Sequence, residues 1–161
     1  MLERSYDTAF INKVVNDPSV RPYVGGGVDG DIDTRILVDM PGNWFLMGEH
    51  GGFLLEETSP RVREVHTFIL PEGRGKWAND ARTAMLDYAR SHGTEKLWTK
   101  IEPDSKHVIR YARQGGMQKT DEMIETFGTL YRIYRMELRY CQSHLLSEPH
   151  YLGEPPHLQG A

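Results

Sequence analysis

The chain has 161 residues, 39% of them hydrophobic and 26% charged, the size and composition of one globular domain with its own core and not of a disordered chain. A formal net charge of -4 with pI near 6.0 excludes a surface built to neutralise many phosphates, so nucleic acid is not an expected partner. Charged residues Glu3, Arg4 and Asp7 stand where a secretion signal would be apolar, and no run reaches transmembrane length, so a soluble, non-membrane, cytoplasmic protein is expected.

Asp7 is placed to cap a helix carrying Phe10, Val14 and Val15 on one face, and Asp17-Pro18 stops it. Residues Gly25 to Asp33 form a Gly- and Asp-rich loop. Its Asp29, Asp31 and Asp33 alternate like the start of a calcium loop, but Thr34 replaces the turn glycine and Met40 the twelfth-position glutamate. Trp44 to Met47 and Phe53 to Leu55, separated by His50-Gly51-Gly52, read as a hairpin. From Val62 to Leu70 a strand is expected, with Glu64, His66 and Phe68 on one face and Val65, Thr67 and Ile69 on the other.

After Pro71, Gly73 and Gly75 the period changes. Trp77, Ala81, Ala84, Met85 and Tyr88 recur at helical spacing up to a stop at Gly93. Lys96 to Ile101 predicts a further strand, and Pro103-Asp104-Ser105 opens a second helix ending at Gly115-Gly116. Residues Gln118 to Leu138 are assigned as two strands about Gly128, because Thr126, Phe127, Tyr131 and Ile133 favour the pleated conformation. The domain is expected to span residues 1–141, followed by a Pro-containing extended tail over 142–161. Cys141 has no partner for a disulfide, and His144, His150 and His157 match no compact metal pattern. No metal is expected.

A strand that feeds a Gly-containing turn and then a helix presents free backbone N–H groups and a positive dipole end, a natural phosphate site. Pro71-Glu72-Gly73-Arg74-Gly75-Lys76 in this setting resembles the GNAT superfamily of N-acetyltransferases, whose motif reads R-x-x-G-x-G/A after a central strand. The likeness continues through the helix ending at Gly93, the strand Lys96 to Ile101 and the helix ending at Gly116-Met117. It implies an α/β fold with a mixed, mainly antiparallel sheet, a parallel pair splayed at the cofactor groove, and helices on both faces. It further implies acetyl-CoA, with Phe68, Ile69 and Leu70 holding pantetheine and Arg74, Gly75, Lys76, Trp77, Ala78 and Asn79 holding pyrophosphate.

Two motif positions depart from the family. Trp77 and Asn79 stand where Gly or Ala lets the pyrophosphate approach the backbone, and a Trp ring turned into the groove would block it. In the second helix Ser105, Val108 and Ala112 replace the family's Asn, Ala and Tyr, and Tyr111 is directed about 100° from position 112 on an ideal helix. Glu64 and His66 are the acid–base candidates for removing a proton from an amine acceptor; alternatively Glu64 is a solvated edge charge and His66 packs beneath a loop. The segments NDPSVRPYVGGG, GEHGGFLLEE and EVHTFILPEGRGKWA also resemble a group of GNAT-related proteins encoded by tailed bacteriophages near virion-assembly genes, in which Trp77 is usual. Two functions are therefore open: acetyl transfer from acetyl-CoA to an amine in the host cytoplasm, or a catalytically degraded assembly protein of a phage particle that binds virion subunits through residues 142–161.

Overall fold

The computed structural model describes residues 1–26 and 28–138; the proposed tail, Cys141 and the three spaced histidines after it lie outside the described residues. Strands β1 (Glu3–Arg4), β2 (Asn43–Gly48), β3 (Gly51–Ser59), β4 (Val62–Ile69), β5 (Lys96–Ile101), β6 (Gln118–Thr126) and β7 (Thr129–Glu137) form one sheet in the order β1-β2-β3-β4-β5-β7-β6. Among the described residues only β4 and β5 pair in parallel. The remaining neighbours are antiparallel. The helices are α1 (Thr8–Val15), α2 (Arg35–Asp39), α3 (Lys76–Ser91) and α4 (Lys106–Gln114). None is long and apolar enough to cross a membrane.

Alternation along the strands sends side chains to two cores. On one face Phe45, Met47, Leu54 and Phe68 pack against Ile11, Val14 and Val15 of α1 and Val38 of α2. On the other, Leu46, Phe53, Leu55, Val65, Leu97 and Ile101 meet Ala81, Met85 and Ala89 of α3, with Val108 and Ala112 of α4 packed against them. The sheet is thus covered on both sides, as expected. The Asp7 side chain accepts from the Phe10 amide at 3.0 Å and opens α1. The β2–β3 hairpin closes tightly because a Cβ at Gly52 would fall 1.9 Å from the Leu46 carbonyl oxygen.

Every helix and strand expected from periodicity is present, and the two strands about Gly128 form the β6–β7 hairpin. Two short elements carry no periodic signal: β1, two residues long, and α2, five residues long. Both owe their order to packing against β2.

The parallel pairing is brief. Val62, Arg63 and Glu64 face Lys96, Leu97 and Trp98 in register, and there the ladder ends. The β4 edge from Val65 to Ile69 is left without a strand partner on that side, and the Thr99 hydroxyl reaches across to the Val65 carbonyl at 2.9 Å. Leu97, fully buried where the two strands begin to part, is the anchor of this geometry. Leu97→Ala should destabilise the domain by about 2–5 kcal/mol, the usual range for a core leucine truncation, read as a lower urea midpoint at unchanged slope.

Candidate active site

Where β4 and β5 part, a cleft of about 650 Å³ opens. It runs from Arg74, Gly75 and Ala78 past Val65, Thr67 and Ile69 to Glu64, His66 and Lys100. Pro71–Gly73 forms a single 3-10 turn after β4. Gly75 then stands at the helix N-cap with φ +99° and ψ -126°, a conformation that excludes a side chain of L configuration. A Cβ there would meet nothing within 4 Å. No side chain caps α3, and the Asn79 amide already donates to the Gly75 carbonyl at 3.1 Å. The three amides before it, of Lys76, Trp77 and Ala78, have no carbonyl of the helix to bond and stand at the positive end of a helix 16 residues long, where Gly75 and Ala78 line the cleft. Arg74 lines the same opening, its guanidinium 3.3 Å from the Ser19 carbonyl. This donor set fits a pyrophosphate.

Trp77 does not obstruct it. Its ring turns to the other side, edge-on to His50 with centroids 5.3 Å apart. Added Cβ atoms at Gly48 and Gly73 would each lie 3.0 Å from that ring. Two glycines outside the motif thus accommodate the bulk. The Lys76 ammonium pairs outward with Asp80 at 2.5 Å, so only its backbone faces the groove. Phe68 is buried against Phe45, with centroids 6.4 Å apart, Ile69 packs on the α3 side of the sheet, and the Leu70 amide is held by the His50 carbonyl at 3.0 Å. The open β4 edge runs through Val65–Ile69, so backbone and not side chains would meet a pantetheine arm.

The sequence candidates Glu64 and His66 are brought together, and with them two residues that sequence reasoning missed. Glu56 of β3 lies directly opposite Glu64 across the antiparallel ladder. Two carboxylates so placed repel. His66 Nε2 lies 3.1 Å from Glu56 Oε2 and 3.7 Å from Glu64 Oε2, and Lys100 Nζ lies 3.4 Å from Glu64 Oε1. A carboxylate can only accept, so the Glu56 contact places the proton on His66 Nε2. Glu64 is 6% exposed, and the bond from His66 holds the Glu56 carboxyl below the usual glutamate range. Ligand atoms of Glu56, Glu64 and His66 lie within 4.8 Å of one another, a spacing suited to a metal; here the Lys100 ammonium supplies the countercharge. No strong local signal marks Glu56 or Lys100 in the sequence.

In α4, Tyr111 reaches the cleft that Ala112 was positioned to face. Its hydroxyl donates to the Ala78 carbonyl at 2.7 Å, and burial pushes its pKa up to about 12. The phenol stays neutral and ties α4 to the first turn of α3.

This overall architecture recurs in solved structures. The chain has the GNAT fold. Similar structures include spermidine N-acetyltransferase from Vibrio cholerae in complex with CoA and spermine, at 14% identity over 86% of this chain and 95% of that one, with a TM-score of 0.68. A phosphinothricin acetyltransferase from Sinorhizobium meliloti in complex with acetyl-CoA shares 12% identity over 86% and 88%, TM-score 0.63. Ribosomal-protein-alanine N-acetyltransferase from Brucella melitensis shares 15% over 86% and 99%, TM-score 0.62. No family model and no curated protein matches the sequence. At these identities the likeness to these proteins is one of fold.

Two outcomes follow from the site's packing and charge. Trp77→Ala should cost about 2–3 kcal/mol, less than a fully buried Trp, because the ring is only partly covered; thermal melting reads it. The depressed Glu56 carboxyl means that the unfolded chain binds more protons. Its contribution to stability is complete above about pH 4.5 and is lost as pH falls through the folded-state value. Melting temperature of the wild type should therefore fall more steeply below that pH than that of Glu56→Gln.

Proposed function

We propose that the protein is an N-acetyltransferase that uses acetyl-CoA. The observation that carries this reading is the uncapped N-terminus of α3, with the Trp77 ring packed on His50 and with Arg74, Gly75 and Ala78 lining a cleft that continues to the buried Glu64. Acetyl-CoA would supply an acetyl group activated as a thioester. Arg74 and the amides of Lys76, Trp77 and Ala78 would hold its pyrophosphate, and the free β4 edge its pantetheine arm.

Glu64 is the base. It lies where β4 and β5 diverge, its Oε1 is 3.4 Å from the Lys100 ammonium and its Oε2 3.7 Å from His66 Nε2, and it lines the cleft. It takes the proton from the acceptor ammonium, directly or through one water. The amine nitrogen would then form the N–C bond to the acetyl carbon as the C–S bond breaks; the nitrogen gives up its second proton to solvent and the departing thiolate takes one from solvent, so the two cancel and the only net proton released is the one Glu64 accepted. His66 is a positioning residue: its Nε2–H donates to Glu56 at 3.1 Å and stands 3.7 Å from Glu64, so it orients the carboxylate opposite the base.

Millimolar acetyl-CoA should raise the melting temperature of the full chain, since any ligand of the native state does so; no shift would refute the reading. Glu64→Gln should lower kcat about 10²–10⁴-fold, the range for losing a general base, while acetyl-CoA still stabilises the protein. Equal loss of binding and turnover would instead make Glu64 a structural residue.

A further inference from the structure

We propose that Lys100 is a catalytic residue: its ammonium meets the thioester sulfur and hands the departing thiolate a proton, which solvent then restores to it. The proposal rests on the N-acetyltransferase reading above and gives that reading its acid.

Breaking a C–S bond places negative charge on sulfur, and an acid or a cation set there lowers the barrier. A pantetheine arm laid along the free β4 edge from Ile69 to Val65 ends beside Glu64, the last residue of β4 paired with β5. Lys100 stands on β5 two residues beyond Trp98, the partner of Glu64, and strand alternation sends its side chain to the same face. Its Nζ lies 3.4 Å from Glu64 Oε1, and both residues line the cleft. The Lys100 side chain is 27% exposed. An ammonium carries three N–H donors. Besides Glu64, Nζ faces the Tyr131 ring, 6.0 Å from its centroid, and acts electrostatically on the Glu56 carboxyl. Donors therefore remain for a ligand in the cleft.

The other polar groups of the cleft wall are committed elsewhere. Tyr111 gives its hydroxyl proton to the Ala78 carbonyl, and burial pushes its pKa up to about 12. Arg82 donates to the Tyr111 carbonyl at 2.8 Å and Arg74 to the Ser19 carbonyl at 3.3 Å, and a guanidinium does not give up a proton. His66 donates to Glu56 at 3.1 Å. His107 lies edge-on to Tyr23, centroids 6.0 Å apart. Glu102 follows the end of β5, and an acidic side chain has the wrong charge to sit beside a thiolate. On the loop side Phe127 touches Gly26, where a Cβ would lie 2.7 Å from Phe127 Cδ2; neither residue has a proton to give.

Contact with Glu64 times the transfer. While Glu64 carries its charge, it holds the ammonium proton in place. Once it has taken the acceptor's proton, a largely covered ammonium is left without its counterion, a change that favours proton release. The N–C bond forms, the C–S bond breaks, and an N–H bond of Lys100 is exchanged for S–H. Neutral Lys100 then takes a proton from solvent. The balance is that given above: one proton passes to Glu64, the nitrogen's second goes to solvent, and solvent returns one through Lys100.

The first arm of the test needs no acceptor. Binding of CoA and of desulfo-CoA, which lacks the sulfur, to the full chain is measured by calorimetry at about pH 9, where a thiol is largely ionised and an ammonium still protonated. The wild type should bind CoA at least ~10-fold more tightly than desulfo-CoA, the scale of a charge-assisted hydrogen bond. Lys100→Met should abolish that preference while binding desulfo-CoA like the wild type. Lys100→Arg, which keeps a cation beside Glu64 but cannot lose a proton, should retain the preference. In the second arm, CoA release from acetyl-CoA is followed with an equimolar mixture of phenethylamine, spermidine and a hexapeptide with a free N-terminus. Lys100→Arg should lower kcat at least ~10²-fold, the lower end of the range for losing a general acid, with KM for acetyl-CoA and the melting temperature unchanged. The proposal is overturned if Lys100→Met keeps the preference for CoA or if Lys100→Arg turns over like the wild type. It is also overturned if Tyr131→Phe loses turnover as Lys100→Arg does, which would give the proton to the phenol. If the wild type binds neither ligand, or releases no CoA from acetyl-CoA, the acetyltransferase reading falls as well; if it binds both ligands alike, only the role of Lys100 falls.

Discussion

Pairing between β4 and β5 stops after Glu64 and Trp98, and that interruption organises the rest of the molecule. A sheet interior that loses its ladder leaves backbone donors and acceptors unpaired, each costing about 1–3 kcal/mol if it is also shut away from water. Here the gap widens into an open cleft, and Thr99 satisfies the first orphaned carbonyl with its hydroxyl. The same divergence gives the end of α3 a direct view of the β4 edge. It also leaves Glu64 at the last paired position, where a carboxylate is buried yet borders open space. Leu97 and Ile101 hold one side of the gap and Phe68 with Phe45 the other, so rigid cores on both faces keep it apart.

Charge inside the cleft follows a second constraint. Antiparallel register sets the half-exposed Glu56 opposite the buried Glu64, and a buried carboxylate beside a like charge persists only where cations and donors surround it. His66 and Lys100 do so from β4 and β5 respectively. The result is a buried carboxylate at the cleft's edge with a cation on one side and an imidazole on the other.

Most of the fold was legible in the sequence because it is written in local periods: the 3.6-residue repeat from Trp77 to Tyr88, the two-residue alternation from Val62 to Ile69, and punctuation by Pro71, Gly93 and Gly115. Glu64 and His66 were legible for the same reason. Glu56 and Lys100 were not, since their roles depend on which strand lies beside which and in what register, a property of distant segments. Trp77 shows a different limit. A motif specifies where the backbone passes but not which way a side chain turns, and here bulk at one position is matched by its absence at Gly48 and Gly73. Tyr111 is similar: an ideal helix directs it away from the position 112 direction, yet the space beside α3 is wide enough for its hydroxyl to find Ala78.

The contact between Phe127 and Gly26 joins two loops, and neither residue belongs to a hydrophobic core. Nothing in the sheet, in α3 or in the charged cluster rests on that ring. The walls of the cleft are embedded in the two cores, whereas this contact stands outside both and lines the cleft from a turn. Substitutions at the hairpin tip and its facing glycine would therefore alter the lining of the cleft without touching the packing that holds it open.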